Sequence, residues 1–283
     1  MWIHALLGAL CLSLALASPP GNRSDVSDLI YGGTIQNVPF PQLMTIFHYR
    51  FGYQCGASLL TQRFVLTAAH CLANVTPDEI TVVAGLAWLD DTSLPPPLVQ
   101  ASKVTRITIH PDYKGNQDAQ QGNDIAILQL ATPFTFTNKI KPVQMTSNDW
   151  QTEQPRAPVS VFGFGPTKLP FDPQERNKNL LRADTTIYDR GDCSFVYEQF
   201  FQQTLNYQFL CTDADQRGVL SGDSGGPLIS FRDGVAWQVG VVKGGHYEYR
   251  LPSLYMRTAV YCPWIEKTTK HTFLCTTTDA KMS

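Results

Sequence analysis

From Ile30 onward the chain is written in short apolar or alternating runs separated by turn residues. "LMTIFHY", "RFVLTAA", "EITVVAGLA", "VTRITIH", "DIAILQL", "PVSVFGFG", "WQVGVVKGG" and "SLYMR" are the clearest. Runs of this length at such frequent intervals predict the strands of an all-β sandwich or barrel. Helical periodicity emerges only near the end. There "AVYCPWIEKTT", Ala259 to Thr269, predicts a terminal helix with Val260, Trp264 and Ile265 toward a core. The segment Trp150 to Pro158 is polar and proline-containing, and reads as a crossing between two halves of similar size. That much chain fits one large β domain or two small barrels. "LDDTSLPPPL" and "GPTKLPFDPQERNKN" read as exposed loops.

The first residues follow a different pattern. "MWIHALLGALCLSLALASPP" is an apolar run closing on Ala15-Leu16-Ala17, which predicts a secretory leader over 1–17 cut before Ser18. Ser18 to Leu29 is polar and reads as a tether. No later stretch is long and apolar enough for a membrane span, so a secreted, soluble chain without a membrane partner is expected.

Composition narrows the picture. The 283 residues are 43% hydrophobic, enough for a real core, and the formal net charge of -2 argues against a nucleic-acid partner or a polybasic anchor. Loss of the leader removes Cys11 and leaves Cys55, Cys71, Cys193, Cys211, Cys262 and Cys275. An even number in an exported chain predicts disulfides, with connectivity open, although the six fall into neighbours along the sequence. No C-x-x-C or H-x-x-x-H pattern supports a metal site, and the two adjacent acids of "WLDDTS" do not make a calcium cage. Asn22-Arg23-Ser24 and Asn74-Val75-Thr76 are glycosylation sequons.

Three separated stretches carry candidate chemistry. "LTAAHC" holds His70, "GNDIAILQL" holds Asp124, and "GVLSGDSGGPLIS" holds Ser224 between an aspartate and two glycines. A hydroxyl attacks a carbonyl only when a base takes its proton and a third group orients that base. Taken singly, a histidine beside a cysteine, a strand-leading aspartate and a glycine-rich loop are common structural features. In this order and at domain-scale spacing, "TAAHC", "NDIAIL" and "GDSGGP" resemble the three signatures of chymotrypsin-like (trypsin-fold) serine endopeptidases. The resemblance covers Ile30 to about Ile265, including "IYGG" at 30–33 and "CGASLLTQRFVLTAAHC".

The resemblance implies two antiparallel six-stranded β-barrels with a C-terminal helix and a site in the cleft between them. Barrel one would span about 30–149, barrel two about 150–258, and the helix and tail 259–283, after a propeptide over 18–29. It implies Ser224 as nucleophile, His70 as general base and then acid, and Asp124 as the group that orients His70. The N–H groups of Gly222 and Ser224 would form the oxyanion hole. Asp223 would pair with the α-ammonium of Ile30 once Leu29–Ile30 is cut. Pairings Cys55–Cys71, Cys193–Cys211 and Cys262–Cys275 follow from the same match. The implied molecule is a monomer with no cofactor. It would meet protein or peptide substrates, protein inhibitors, and an activating protease unless it activates itself.

Several residues depart from the family pattern. Leu29 precedes the activation bond, where many relatives carry a basic residue. Two common family disulfides are absent with both halves missing, at Val159 with Ser230, and at Leu220 with the Tyr247–Arg250 region. Gly218 stands at the expected pocket floor and supplies no charge, so cleavage after apolar or aromatic residues is expected; Asp213 and Asp215 lie nearby. Gly244 removes an aromatic platform for substrate, and Gly245 and Ser253 leave the pocket entrance and wall small. Lys243 falls near Asp124, either pairing with it or pointing to solvent. These departures keep open a catalytically weak relative serving as a binding or regulatory module. An esterase on another fold is the remaining reading, and the order of its acid and serine fits poorly.

Overall fold

The computed structural model describes residues 33–93, 98–115, 122–166, 177–213, 218–220, 222–245 and 251–277. The leader, Asn22, Leu29, Ile30, Asp215 and the Tyr247–Arg250 segment lie outside the described residues. After a two-residue strand β1 (Thr34–Ile35), six strands form the first barrel: β2 (Leu43–His48), β3 (Gly52–Leu59), β4 (Phe64–Thr67), β5 (Ile80–Ala84), β6 (Gln100–Ile109) and β7 (Ala126–Leu130). They close antiparallel in the order β2-β3-β4-β7-β6-β5.

The second barrel uses β8 (Pro158–Gly163), β9 (Leu181–Tyr188), β10 (Phe209–Thr212), β11 (Pro227–Arg232), β12 (Val235–Gly244) and β13 (Ser253–Arg257). The order β9-β10-β13-β12-β11-β8 closes through β8–β9 pairing, and β1 adds to the outer edge of β9. The expected all-β architecture of two six-stranded barrels is therefore the observed one. Every run singled out in the sequence falls on a strand. Each strand turns one apolar row inward, with Met44, Ile46, Leu59, Leu66, Val82 and Ile127 in the first barrel, and Val161, Leu181, Leu228, Val239 and Tyr255 in the second. A barrel leaves no free edge, which suits a chain of many short strands.

Among the described residues, two α-helices complete the fold. The terminal helix α2 spans Thr258–Thr268, within a residue of the expected bounds. Its buried face centres on Tyr261, Cys262 and Ile265, with Val260 and Trp264 packed at the margins of the core. The Cys262–Cys275 disulfide ties the C-terminal tail to that face. Helix α1 (Arg190–Phe201) has no counterpart in the sequence reading. It buries only Cys193 and Tyr197, one turn apart, so it carries no broad apolar stripe. Capping and a crosslink hold it instead. Asp189 accepts a hydrogen bond from the N–H of Asp192 at 3.0 Å, and Cys193 is bonded to Cys211 on β10. With Cys55–Cys71 there are three disulfides, in the expected pairs.

Candidate active site

His70 and Asp124 come from the first barrel. His70 sits in a short 3-10 turn (Ala69–Leu72) that follows β4, and Asp124 lies two residues before β7, which pairs with β4. That pairing brings the two together. Asp124 is fully buried, and Oδ1 accepts the His70 backbone N–H at 2.9 Å while Oδ2 meets His70 Nδ1 at 2.8 Å. Burial works against ionisation of Asp124. The hydrogen bond and charge of His70, then the Lys243 ammonium, outweigh it and hold the carboxyl down at about 2. An ionised Asp124 puts the proton on Nδ1 and leaves Nε2 free to accept one. Nε2 lies 3.9 Å from Cys71 Sγ. Cys55, His70 and Cys71 cluster as metal ligands might, but the two sulfurs are bonded to each other and offer no thiolate.

Ser224 comes from the second barrel, in the loop before β11. Its carbonyl accepts the Gly56 N–H at 2.9 Å, which ties the loop to β3 of the first barrel. Gly225 N–H donates to Val242 O at 2.8 Å, and Val242 N–H donates to Gly226 O at 2.9 Å. Gly225 has φ +78°, and a Cβ there would lie 3.0 Å from Ala68 N, two residues before His70. Only glycine allows this approach of the serine loop to the histidine turn. Gly222 also has a positive φ, +100°. No hydrogen bond joins Ser224 to His70 among the described residues; such bonds commonly tighten only with substrate.

Asp223 is fully buried with no ion-pair partner among the described residues. Its carboxylate accepts Gly165 N–H at 2.8 Å and Leu220 N–H at 3.0 Å. Burial pushes it up to about 6 against the pull of those two donors. "GFG" at 163–165 now has a purpose that its sequence did not disclose. Any side chain at Gly163 or Gly165 would collide with the Asp223 carboxylate. Tyr53 was also missed. Its hydroxyl donates to Gly222 O at 2.5 Å and so holds the peptide before Asp223. Nothing but its place two residues before Cys55 marks it in the sequence.

The expected pocket residues are also brought together. Ser253 Oγ accepts Val219 N–H at 3.3 Å and lies 3.1 Å from where a Cβ would stand on Gly218 or on Gly245. Lys243 pairs with Asp124, its Nζ 3.3 Å from Oδ2, rather than pointing to solvent. Asp213 N–H bonds to Thr186 O at 3.0 Å, on the side of β9. Two surface hollows, one at Trp150, Pro155 and Phe231 and one at Arg106, Trp264 and Lys267, contain none of these residues.

The geometry has its counterpart in known proteins. The Trypsin family profile matches residues 32–265, most of the chain. The chain belongs to the trypsin family. As a trypsin-family member it is a serine endopeptidase and acts on protein substrates. It is 33% identical to Serine protease 41 of Homo sapiens, over 94% of this chain and 86% of that one. It is 28% identical to Trypsin zeta of Drosophila erecta, over 94% and 96% respectively. Serine protease Hayan of Drosophila melanogaster is 31% identical over 87% of this chain, which spans only 40% of that protein. No helix among the described residues is long and apolar enough to cross a membrane.

Proposed function

We propose that the chain is a secreted zymogen whose form beginning at Ile30 hydrolyses peptide bonds through Ser224, His70 and Asp124. The observation that carries this reading is the fully buried Asp124 bonded to both the Nδ1 and the backbone N–H of His70, beside the loop of Ser224. His70 Nε2 takes the Ser224 proton as Oγ attacks the scissile carbonyl, and Asp124 stabilises the imidazolium so formed. The N–H groups of Gly222 and Ser224 receive the oxyanion, each donor contributing about 2.7–4 kcal/mol to the transition state. The imidazolium then protonates the leaving amine, and water releases the acyl group from Ser224 by the same route reversed.

Activation is cleavage of Leu29–Ile30 by another protease or by the enzyme itself. The freed ammonium of Ile30 gives Asp223 its counter-charge. Secretion accords with the apolar leader and the three disulfides, and Asn74, exposed in a turn, offers a glycosylation site; Asn22 is the second.

Gly218 leaves the pocket floor without charge. An arginine or lysine buried there loses water and gains no ionic partner. A Leu- or Phe-sized group gains roughly 1.5–3 kcal/mol by burial. A peptide-library cleavage profile of the Ile30-started enzyme is expected to favour apolar or aromatic residues before the cut. A dominant Arg or Lys preference would contradict this and bring Asp213 or Asp215 into the pocket. The Lys243–Asp124 contact favours a second reading, a weakly catalytic relative that binds rather than cuts. Absence of any hydrolysis by the Ile30-started form selects that reading.

A further inference from the structure

We propose that Lys243 is a positioning residue that shares the carboxylate of Asp124 with His70, lowers the plateau rate and extends activity toward lower pH. The inference rests on the triad reading above.

Three observations converge on Lys243. The first is backbone geometry. Val242 pairs with Tyr255 and Gly244 with Leu254, so Lys243 is the extra residue of a β-bulge between β12 and β13. A bulge redirects a side chain out of the alternating pattern of the strand. Its neighbour Val242 is pinned on both sides to the Ser224 loop through Gly225 and Gly226. The bulge therefore has a fixed position relative to the nucleophile. The second is burial, since the Lys243 side chain is only 13% exposed and Asp124 not at all. The third is competition for one atom. Lys243 Nζ at 3.3 Å and His70 Nδ1 at 2.8 Å both meet Oδ2 of Asp124.

The consequence is electrostatic. With Lys243 in place, Asp124 and the ammonium already neutralise each other before His70 takes a proton. Protonation of His70 then creates a net positive cluster in a buried site instead of a neutral pair. Sharing one oxygen keeps the two nitrogens within about 6 Å, the range in which like charge disfavours a second cation. The imidazolium is therefore less favoured both in the resting enzyme and in the transition state. Neutral His70, the form competent as a base, persists to lower pH, and the maximal rate falls. The other ionisable groups facing Asp124 among the described residues are the Tyr113 and Tyr261 hydroxyls; burial raises both, with Asp124 adding to it and, at Tyr261, the Asn123 N–H opposing it, so both stay neutral through the acid range. Among the described residues, His70, Asp124 and Lys243 set the acid limb.

The test uses the Ile30-started protein and its K243M, K243S and K243R variants. In K243M the acid limb of kcat/KM is expected to move up by about one pH unit, with kcat rising several-fold at the plateau. K243R, which keeps the charge, is expected to retain the wild-type limb. K243S carries the comparison if K243M does not fold. NMR titration of the His70 imidazole in the S224A background reads the same displacement without turnover. Failure of the triad reading (no hydrolysis by any variant) is thus distinguishable from failure of this inference. In unsubstituted protein, Lys243 is expected to be among the slowest lysines acylated by acetic anhydride. Coincident acid limbs and imidazole titrations in all variants, or rapid acylation of Lys243, would overturn the proposal.

Discussion

Replacing Ser224 by alanine is expected to lower peptide hydrolysis by the Ile30-started form about a million-fold, the loss other triad proteases suffer without their serine. The fold should be untouched. The loop is held by backbone bonds, Gly56 N–H to Ser224 O, Gly225 N–H to Val242 O and Gly226 N–H to Asp223 O, all of which alanine preserves. Ser224 already carries a Cβ and does not have the positive φ of Gly222 and Gly225, so losing only its hydroxyl oxygen brings no backbone penalty. Residual rate would come from substrate binding and the oxyanion donors alone. The check is kcat/KM beside the melting temperature of the two proteins. Undiminished turnover by the purified variant would remove Ser224 from the mechanism.

The second large effect concerns Asp223 and pH. In the uncleaved chain Ile30 is an internal residue and has no ammonium to offer. Burial, opposed only by the Leu220 and Gly165 N–H groups, then holds the Asp223 carboxyl up at about 6, above its ordinary 3.8. Between those values the unfolded chain has released the proton that the native chain keeps. The native state then binds more protons, so its stability falls as pH rises through this window and levels off above about 6. The full displacement corresponds to about 3 kcal/mol. Cleavage at Leu29–Ile30 supplies the ammonium and depresses the carboxyl instead, which removes the decline. Urea unfolding of S224A protein, uncleaved and Ile30-started, across this range gives the test. A decline of roughly this size in the uncleaved form alone is expected, and identical profiles would contradict the switch.

The two barrels were legible because their strands are short apolar runs divided by turn residues, many of them buried on both faces. Helix α1 was not legible. Its two buried residues give no stripe, and Asp189 capping with Cys193–Cys211 does the work that packing usually does. The site divides in the same way. His70, Asp124 and Ser224 are marked by local motifs around them. Tyr53, Gly163 and Gly165 act on Gly222 and Asp223 only through the tertiary meeting of β3, β8 and the serine loop. Lys243 was visible as a departure, but its direction was not. A bulge between β12 and β13 decides whether that side chain faces Asp124 or water, and bulges leave no fixed signature in a single strand. Gly218, Gly245 and Ser253 stand out in the sequence only as small residues, and it is the fold that brings Ser253 Oγ close to both glycines.

Reaction of the Ile30-started protein with a fluorophosphonate probe tests the central claim most directly, since it reports an activated serine hydroxyl without requiring knowledge of substrate. One covalent adduct on Ser224, lost in His70→Ala and in the uncleaved chain, is the result the account predicts. A folded Ile30-started protein that remains unlabelled would contradict it.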